Sequence, residues 1–314
     1  MRIFRFFFFL VVSFTQLSIG KAYAQEPVMW HLTGEDGLPS MWVYDILQDS
    51  RGFIWLATQM GLCRYDGSDF ELIPVPESRN PAISHLSEDS QGRIWFDNFV
   101  YEIFYYDPDQ QHVQPFVLPD SVSRLLRGHQ SYFYRIDRLD NFWLTDLRGF
   151  VWRCDLADQS WKTFDFRLKS GRRQDINLTL ERKKGILVMI NDLNRNDPSN
   201  PKRITRVFRI RDSQVEAVAN LKGLFRRHFS TSAGHFFTND QKIQLRKKAE
   251  LESVFEECMD TKERASNFRI MEDHSHHLWV ISANGAWLYN HQLELIPWGN
   301  SPRLLKEHYI SSMI

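Results

Sequence analysis

Three imidazoles stand close together at His274, His276 and His277, and four aspartates (Asp49, Asp89, Asp137 and Asp273) each precede a tryptophan by six residues. These residue types could do chemistry. A histidine group could hold a metal, given three or four converging ligands and partners that orient them. The histidines, however, fill the turn that Ser50-Arg51-Gly52 fills earlier in the chain. Such a turn points outward, so solvated side chains are expected and no metal. Carboxylates could serve in pairs for glycoside hydrolysis. An aspartate opening a turn has a simpler task, accepting hydrogen bonds from its own backbone, and that role is assigned to all four. The sequence has no HExxH, CxxC, GxSxG or phosphate loop, so no catalytic residue and no cofactor is expected. Basic residues crowd between Arg203 and Lys248 and read as a solvated outer face rather than an anion-binding surface. With 39 basic and 39 acidic residues the net charge is zero, which argues against nucleic-acid partners and against charge-driven binding to an anionic membrane. Cys63, Cys154 and Cys258 are too few for a disulfide framework and are expected free.

The elements that position these residues form a repeat. The stretch from Gly37 to Phe70 reads as four strands: Val43 to Gln48, Phe53 to Thr58, Leu62 to Tyr65, and Phe70 to Ile73. Asp49-Ser50-Arg51-Gly52 and Asp66-Gly67-Ser68 supply turns, and Pro74 and Pro76 end the ladder. The same spacing returns around Trp95, Trp143 and Trp279, with Gly61, Tyr101, Gly149 and Gly285 six residues past the tryptophans. Gly185 and Gly234, counted like Gly52, place Val188 and Phe237 at the tryptophan position of two weaker copies. The landmarks then step by 40, 48, 45, 49 and 42 residues. Four strands per repeat at this period predict an all-β fold, a β-propeller. Each blade would bury its faces against its neighbours through the landmark aromatics.

The first copy, GLPSMWVYDILQDSRGFIWLATQMGLCRYDG, resembles the repeat of the two-component regulator propeller family, the extracytoplasmic sensor modules of bacterial hybrid histidine kinases and related regulators. The lead-in GLPS, the turn Asp-Ser-x-Gly, the Trp, and the Gly-Leu and Tyr-Asp-Gly pairs carry the resemblance; later copies match less well. It implies a recognition module whose ligand, a glycan or other small extracytoplasmic molecule, biases an attached kinase. The remainder of a sensor kinase or a homologous propeller would be its protein partner.

Residues 1–24 read as a signal peptide: Arg2 and Arg5, an apolar run from Phe6 to Ile19, and Ala22-Tyr23-Ala24 before the cleavage point. Residues 25–314 are then a periplasmic propeller with no membrane insertion after cleavage. Trp30-His31-Leu32 is expected as an outer strand closing the ring, and Tyr309 to Ile314 as the opening of a seventh blade. Six blades plus the start of a seventh suggest a fragment lacking membrane helix and kinase.

Propeller ligands commonly sit where the loops into the innermost strands converge, which points here to Met41 and Trp42. An exposed Trp suits sugar stacking; packing against the next blade is the alternative role. The ligand-contacting residues are otherwise left unknown. Two other functions stay open, a secreted glycan-processing enzyme and a protein-interaction propeller. The Asp-box of sialidases also pairs turn Asp, Gly and Trp, but its Asp stands two before the Gly and five before the Trp, whereas here the spacing is three and six.

Overall fold

The first repeat folds as its alternation and turns dictate: β1 (Val43–Gln48), β2 (Ile54–Thr58), β3 (Gly61–Tyr65) and β4 (Phe70–Ile73) make one antiparallel sheet in chain order. The computed structural model describes residues 31–126, 132–146, 148–167, 174–181, 185–192, 204–211, 214–223, 225, 227–238, 243–247, 250–254, 268–282 and 285–297. Five further sheets of the same design follow. Blade two holds β5 (Ile83–Glu88), β6 (Ile94–Asn98), β7 (Ile103–Asp107) and β8 (His112–Pro115). Blade three holds β9 (Tyr132–Ile136), β10 (Asn141–Asp146), β11 (Phe150–Asp155) and β12 (Trp161–Asp165). Blade four holds β13 (Gln174–Glu181), β14 (Gly185–Asp192), β15 (Ile204–Arg211) and β16 (Gln214–Lys222). Blade five holds β17 (Arg227–Thr231), β18 (Gly234–Thr238), β19 (Ile243–Lys247) and β20 (Glu250–Val254), and blade six β21 (Arg269–Glu272), β22 (Leu278–Ser282), β23 (Gly285–Tyr289) and β24 (Leu295–Ile296). The first strands of successive blades touch one another, β1 with β5, β5 with β9, and so on to β21, so they line the axis of a propeller.

The core is a series of blade interfaces. Trp55 packs forward onto Ile94, Phe96 and Phe104 of blade two; Trp95 onto Tyr134 and Phe142 of blade three; Trp143 onto Ile176 and Val188 of blade four. Each turn aspartate has a double role. One oxygen of Asp49 accepts the backbone N–H groups of Arg51 and Phe53, and the other accepts the Trp55 indole N–H at 2.8 Å. Asp89 does the same with Trp95 at 2.7 Å, Asp137 with Trp143 at 2.7 Å and Asp273 with Trp279 at 3.2 Å. The six-residue spacing is therefore the reach from turn to indole. It lets a large apolar ring be buried without stranding its one polar atom.

In the two weaker copies the landmarks are shifted. Val188 faces backward, onto Trp143 and Val151, while its neighbours Leu187 and Met189 face forward onto Phe225 and Phe237. Phe236, not Phe237, packs forward onto Ile270 and Leu278. Counting from the turn glycine slips because β14 and β18 start at Gly185 and Gly234 themselves, whereas β2 starts two residues past Gly52. A one-residue slip exchanges the faces of a strand.

Ties at the turn between first and second strands join successive blades. Ser50 donates its N–H at 2.9 Å and its hydroxyl at 2.6 Å to Glu88; Ser90 donates both to Asp140; Ser232 donates its N–H to Glu272 at 2.9 Å. The long step between blades two and three accommodates a helix the repeat did not predict, α1 (Asp120–Leu126), whose Val122 and Leu126 are buried. The signal-peptide segment, Trp30, Cys258 and Tyr309 to Ile314 lie outside the described residues, and His31 and Leu32 are in no strand. Among the described residues no helix is long and apolar enough to cross a membrane.

Candidate functional site at the channel mouth

The lead-ins to the first strands and the turns between second and third strands share one end of the propeller. There Met41 and Trp42 are 61% and 67% exposed. The backbone carbonyl of Trp42 accepts the N–H of Gln59 at 3.0 Å, which fixes the lead-in against the turn bearing the exposed Met60. Trp42 therefore does not pack against the next blade. Tyr44 contacts Phe99 of the blade-two turn, ring centroids 4.8 Å apart. With Val100 also exposed, the rim over blades one and two is largely apolar and aromatic.

Beside it, both innermost strands are bulged, β1 between Val43 and Asp45 and β5 between Ser84 and Ser87. Bulges re-aim side chains. The β5 bulge puts His85 at φ +53, an uncommon conformation for a non-glycine residue. Its Nδ1 lies 3.0 and 3.2 Å from the two oxygens of Asp97, which is 2% exposed. The Ser84 hydroxyl donates to the same carboxylate at 2.6 Å. The His85 carbonyl accepts the Tyr134 hydroxyl at 2.7 Å, and Asp45 accepts the N–H of Leu86 at 2.9 Å and that of Ile46 at 3.1 Å. Phe133 meets the imidazole edge-on at 6.3 Å. The ring is thus oriented from its Nδ1 side by a buried carboxylate, and its side chain stays 43% exposed. The Ser84 hydroxyl also lies 3.2 Å from His85 Nδ1, so serine, imidazole and carboxylate form one hydrogen-bonded cluster.

Arg135 keeps an exposed surface, yet protein crowds its guanidinium. That loss of bulk solvation draws its guanidinium below the ordinary arginine value, with Arg269 adding to the effect and Tyr134, Asp45 and Asp97 opposing it. The channel mouth can therefore stack an apolar ring face, offer carboxylate and imidazole hydrogen bonds, and present a cation. Sequence reasoning reached Trp42. It missed His85, Asp97, Asp45 and Arg135, which three different blades bring together; among single-sequence signals only the His85-for-Asp45 exchange at matching repeat positions marked the place.

The remaining candidates behave as turn or surface chemistry. His274 and His276 are exposed, His276 lies 2.7 Å from Glu272 and His277 3.4 Å from Asp273. No group of three or more His, Cys, Asp or Glu among the described residues could hold a metal. In the basic segment Arg209 is largely covered and pairs at 3.1 Å with Glu216 on the mostly exposed strand β16. Cys63 and Cys154 are free and buried, and burial pushes both thiols up to about 11.

Comparison with known proteins adds family and fold. Three similar solved structures are the extracellular domain of a hybrid two component system from B. thetaiotaomicron (17% identity, TM-score 0.60, covering 89% of this chain and 38% of that one), the extracellular domain of a one component system from the same organism (15%, 0.58, 88% and 36%), and a catalytically inactive virginiamycin B lyase from Staphylococcus aureus with quinupristin (14%, 0.60, 87% and 88%). At these identities the likeness is one of fold, shared by extracellular domains of such systems and by a lyase alike. The chain spans 38% of the length of the first of these extracellular domains. No curated protein matches. Residues 37–60 match the family model described as two component regulator propeller, so the chain is a β-propeller whose first blade carries a match to that repeat.

Proposed function

We propose that this propeller is the periplasmic ligand-sensing module of a two-component system, and that it takes its ligand, a saccharide, at the channel mouth over blades one and two. The observation that carries this reading is the exposed Trp42 and Tyr44–Phe99 rim beside the oriented His85–Asp97 pair. Sugars present an apolar ring face to aromatics and hydroxyls to carboxylates and imidazoles, and a mostly preformed site limits the ordering cost of binding. In this reading the propeller binds and does not turn its ligand over; phosphotransfer belongs to the kinase of the system. Titration calorimetry with an oligosaccharide panel tests it. At least one saccharide should bind wild type, and Trp42→Ala should weaken it about tenfold, the worth of one good stacking contact. Equal binding by Trp42→Ala would sink the assignment. Release of product that depends on His85, read by mass spectrometry, would instead favour the glycan-processing enzyme.

A further inference from the structure

Three departures from the repeat meet at one place on blade two, outward of the channel mouth. The position six past the tryptophan holds glycine at φ +132, +118 and +134 in Gly61, Gly149 and Gly285, but Tyr101 at φ +64 in blade two. A bulky side chain there is kept against local backbone preference. The connection to blade three is lengthened by α1. The loop before β5 carries Glu77, itself at φ +62, and Arg79. Together they enclose a pocket of about 440 Å³, with Tyr101, Phe116 and Leu118 among its walls and Glu77, Glu102 and Ser123 among its polar groups.

The polar side of the pocket is wired. Arg79 Nε lies 2.5 Å from Glu102, whose other oxygen accepts the Arg79 N–H at 3.0 Å and the Asn98 amide at 2.6 Å. Burial works against the Glu102 charge, but these donors outweigh it and hold its pKa below the ordinary carboxylate value. Arg79 thus neutralises one carboxylate. Glu77 makes no hydrogen bond or ion pair with any described residue, so the pocket carries one carboxylate in excess beside two aromatic walls.

We infer that this pocket is a second ligand site, separate from the channel mouth, and that it takes a compact organic amine: a cationic group on Glu77 with an apolar or ring face against Tyr101 and Phe116. Aromatic faces and an unpaired carboxylate both favour a cation. The amine could belong to an amino sugar or to an aryl- or alkylamine, and the probes separate the two.

The test is titration calorimetry on the whole chain with D-glucosamine and 2-phenylethylamine, against D-glucose and 2-phenylethanol as uncharged counterparts. At least one amine should bind at millimolar concentration or better, about tenfold or more tighter than its uncharged counterpart. Glu77→Gln should remove that preference. Tyr101→Gly restores the residue of the other blades and relieves the left-handed backbone. It should keep the wild-type Tm or raise it while binding is lost, which a purely structural Tyr101 would not do. Sugar binding at the channel mouth depends on Trp42, so each comparison is repeated in Trp42→Ala, where the preference for amine over uncharged counterpart should persist and the two readings fail separately. The inference is overturned if neither amine binds, if the uncharged counterparts bind as well, or if Tyr101→Gly binds the amine like wild type.

Discussion

Acid should loosen this propeller at the interface of blades four and five, and the cause is His228. Its ring is 4% exposed, stacked on His235 with centroids 5.1 Å apart and against Phe237 at 4.8 Å. Nε2 lies 3.0 Å from Nδ1 of His235, and Nδ1 of His228 has no hydrogen-bond partner among the described residues. Burial first, then the charges of His235, Arg209 and Arg246, push its pKa from 6.5 down to about 3. The folded state therefore holds this imidazole neutral while the unfolded chain would protonate it. Between pH 6.5 and about 3 the unfolded state binds the extra proton, so the stability contribution is complete above pH 6.5 and falls with acid. Each unit is worth about 1.4 kcal/mol, so about 2 kcal/mol is lost by pH 5, a figure that does not depend on how far below 4 the folded value lies. His228→Gln stays neutral and can still donate to His235. Urea denaturation of both proteins at pH 7.5 and pH 5, followed by tryptophan fluorescence, isolates the effect: wild type should lose about 2 kcal/mol more than the variant over that range. Equal losses would refute the reasoning.

Other outcomes follow from the same geometry. Asp89→Ala strands the Trp95 indole and the Arg93 guanidinium, which sits 2.6 Å from a carboxylate with no exposed side-chain surface; it should cost about 3–5 kcal/mol in thermal or urea unfolding. Asp273→Ala, at a one-third exposed carboxylate with a 3.2 Å indole bond, should cost about 1–2 kcal/mol; a larger loss there than at Asp89 would contradict the burial argument. Gly149→Ala would place its Cβ 2.4 Å from Gln174 Oε1 and 2.8 Å from the Arg167 backbone at φ +118, whereas Gly52→Ala meets nothing within 4 Å. The first should lose more than about 2 kcal/mol and the second about 1, read as the shift in Tm. Cys63 and Cys154 should resist a thiol reagent at pH 8 until the chain unfolds, as peptide mass spectrometry would show, because their thiolates are scarce with pKa values of about 11.

The fold was legible because blade geometry writes itself into spacing. A tight turn and an indole within reach of it fix six residues between Asp and Trp, and four copies of that interval reveal the sheet order. In blades four and five the landmark role passes to Leu187 and Phe236, neither preceded by a turn aspartate, and only the faces of the folded strands reveal the register. The channel mouth was half legible for a related reason. Trp42 stands at a repeat-defined lead-in, but His85 meets Asp97 across a ladder, through a bulge that no spacing encodes, and Arg135 arrives from a third blade. The Tyr101 pocket lay hidden where the repeat is broken, since a pattern read from its regular members says nothing about what its exceptions build.

The serine ties between blades have a direction. In each, the turn of one blade donates to an acid supplied by the blade that follows it in the chain: Ser50 to Glu88, Ser90 to Asp140, Ser232 to Glu272. The forward-packing tryptophans share that polarity, Trp55 and Trp95 being covered by blades two and three. A chain emerging from its N-terminus thus holds the Ser50, Ser90 and Ser232 turns, and the Trp55 and Trp95 indole faces, without their covers until the following blade is made. At these junctions the later blade finishes the earlier one, so the order of synthesis is also the order in which these edges can be closed.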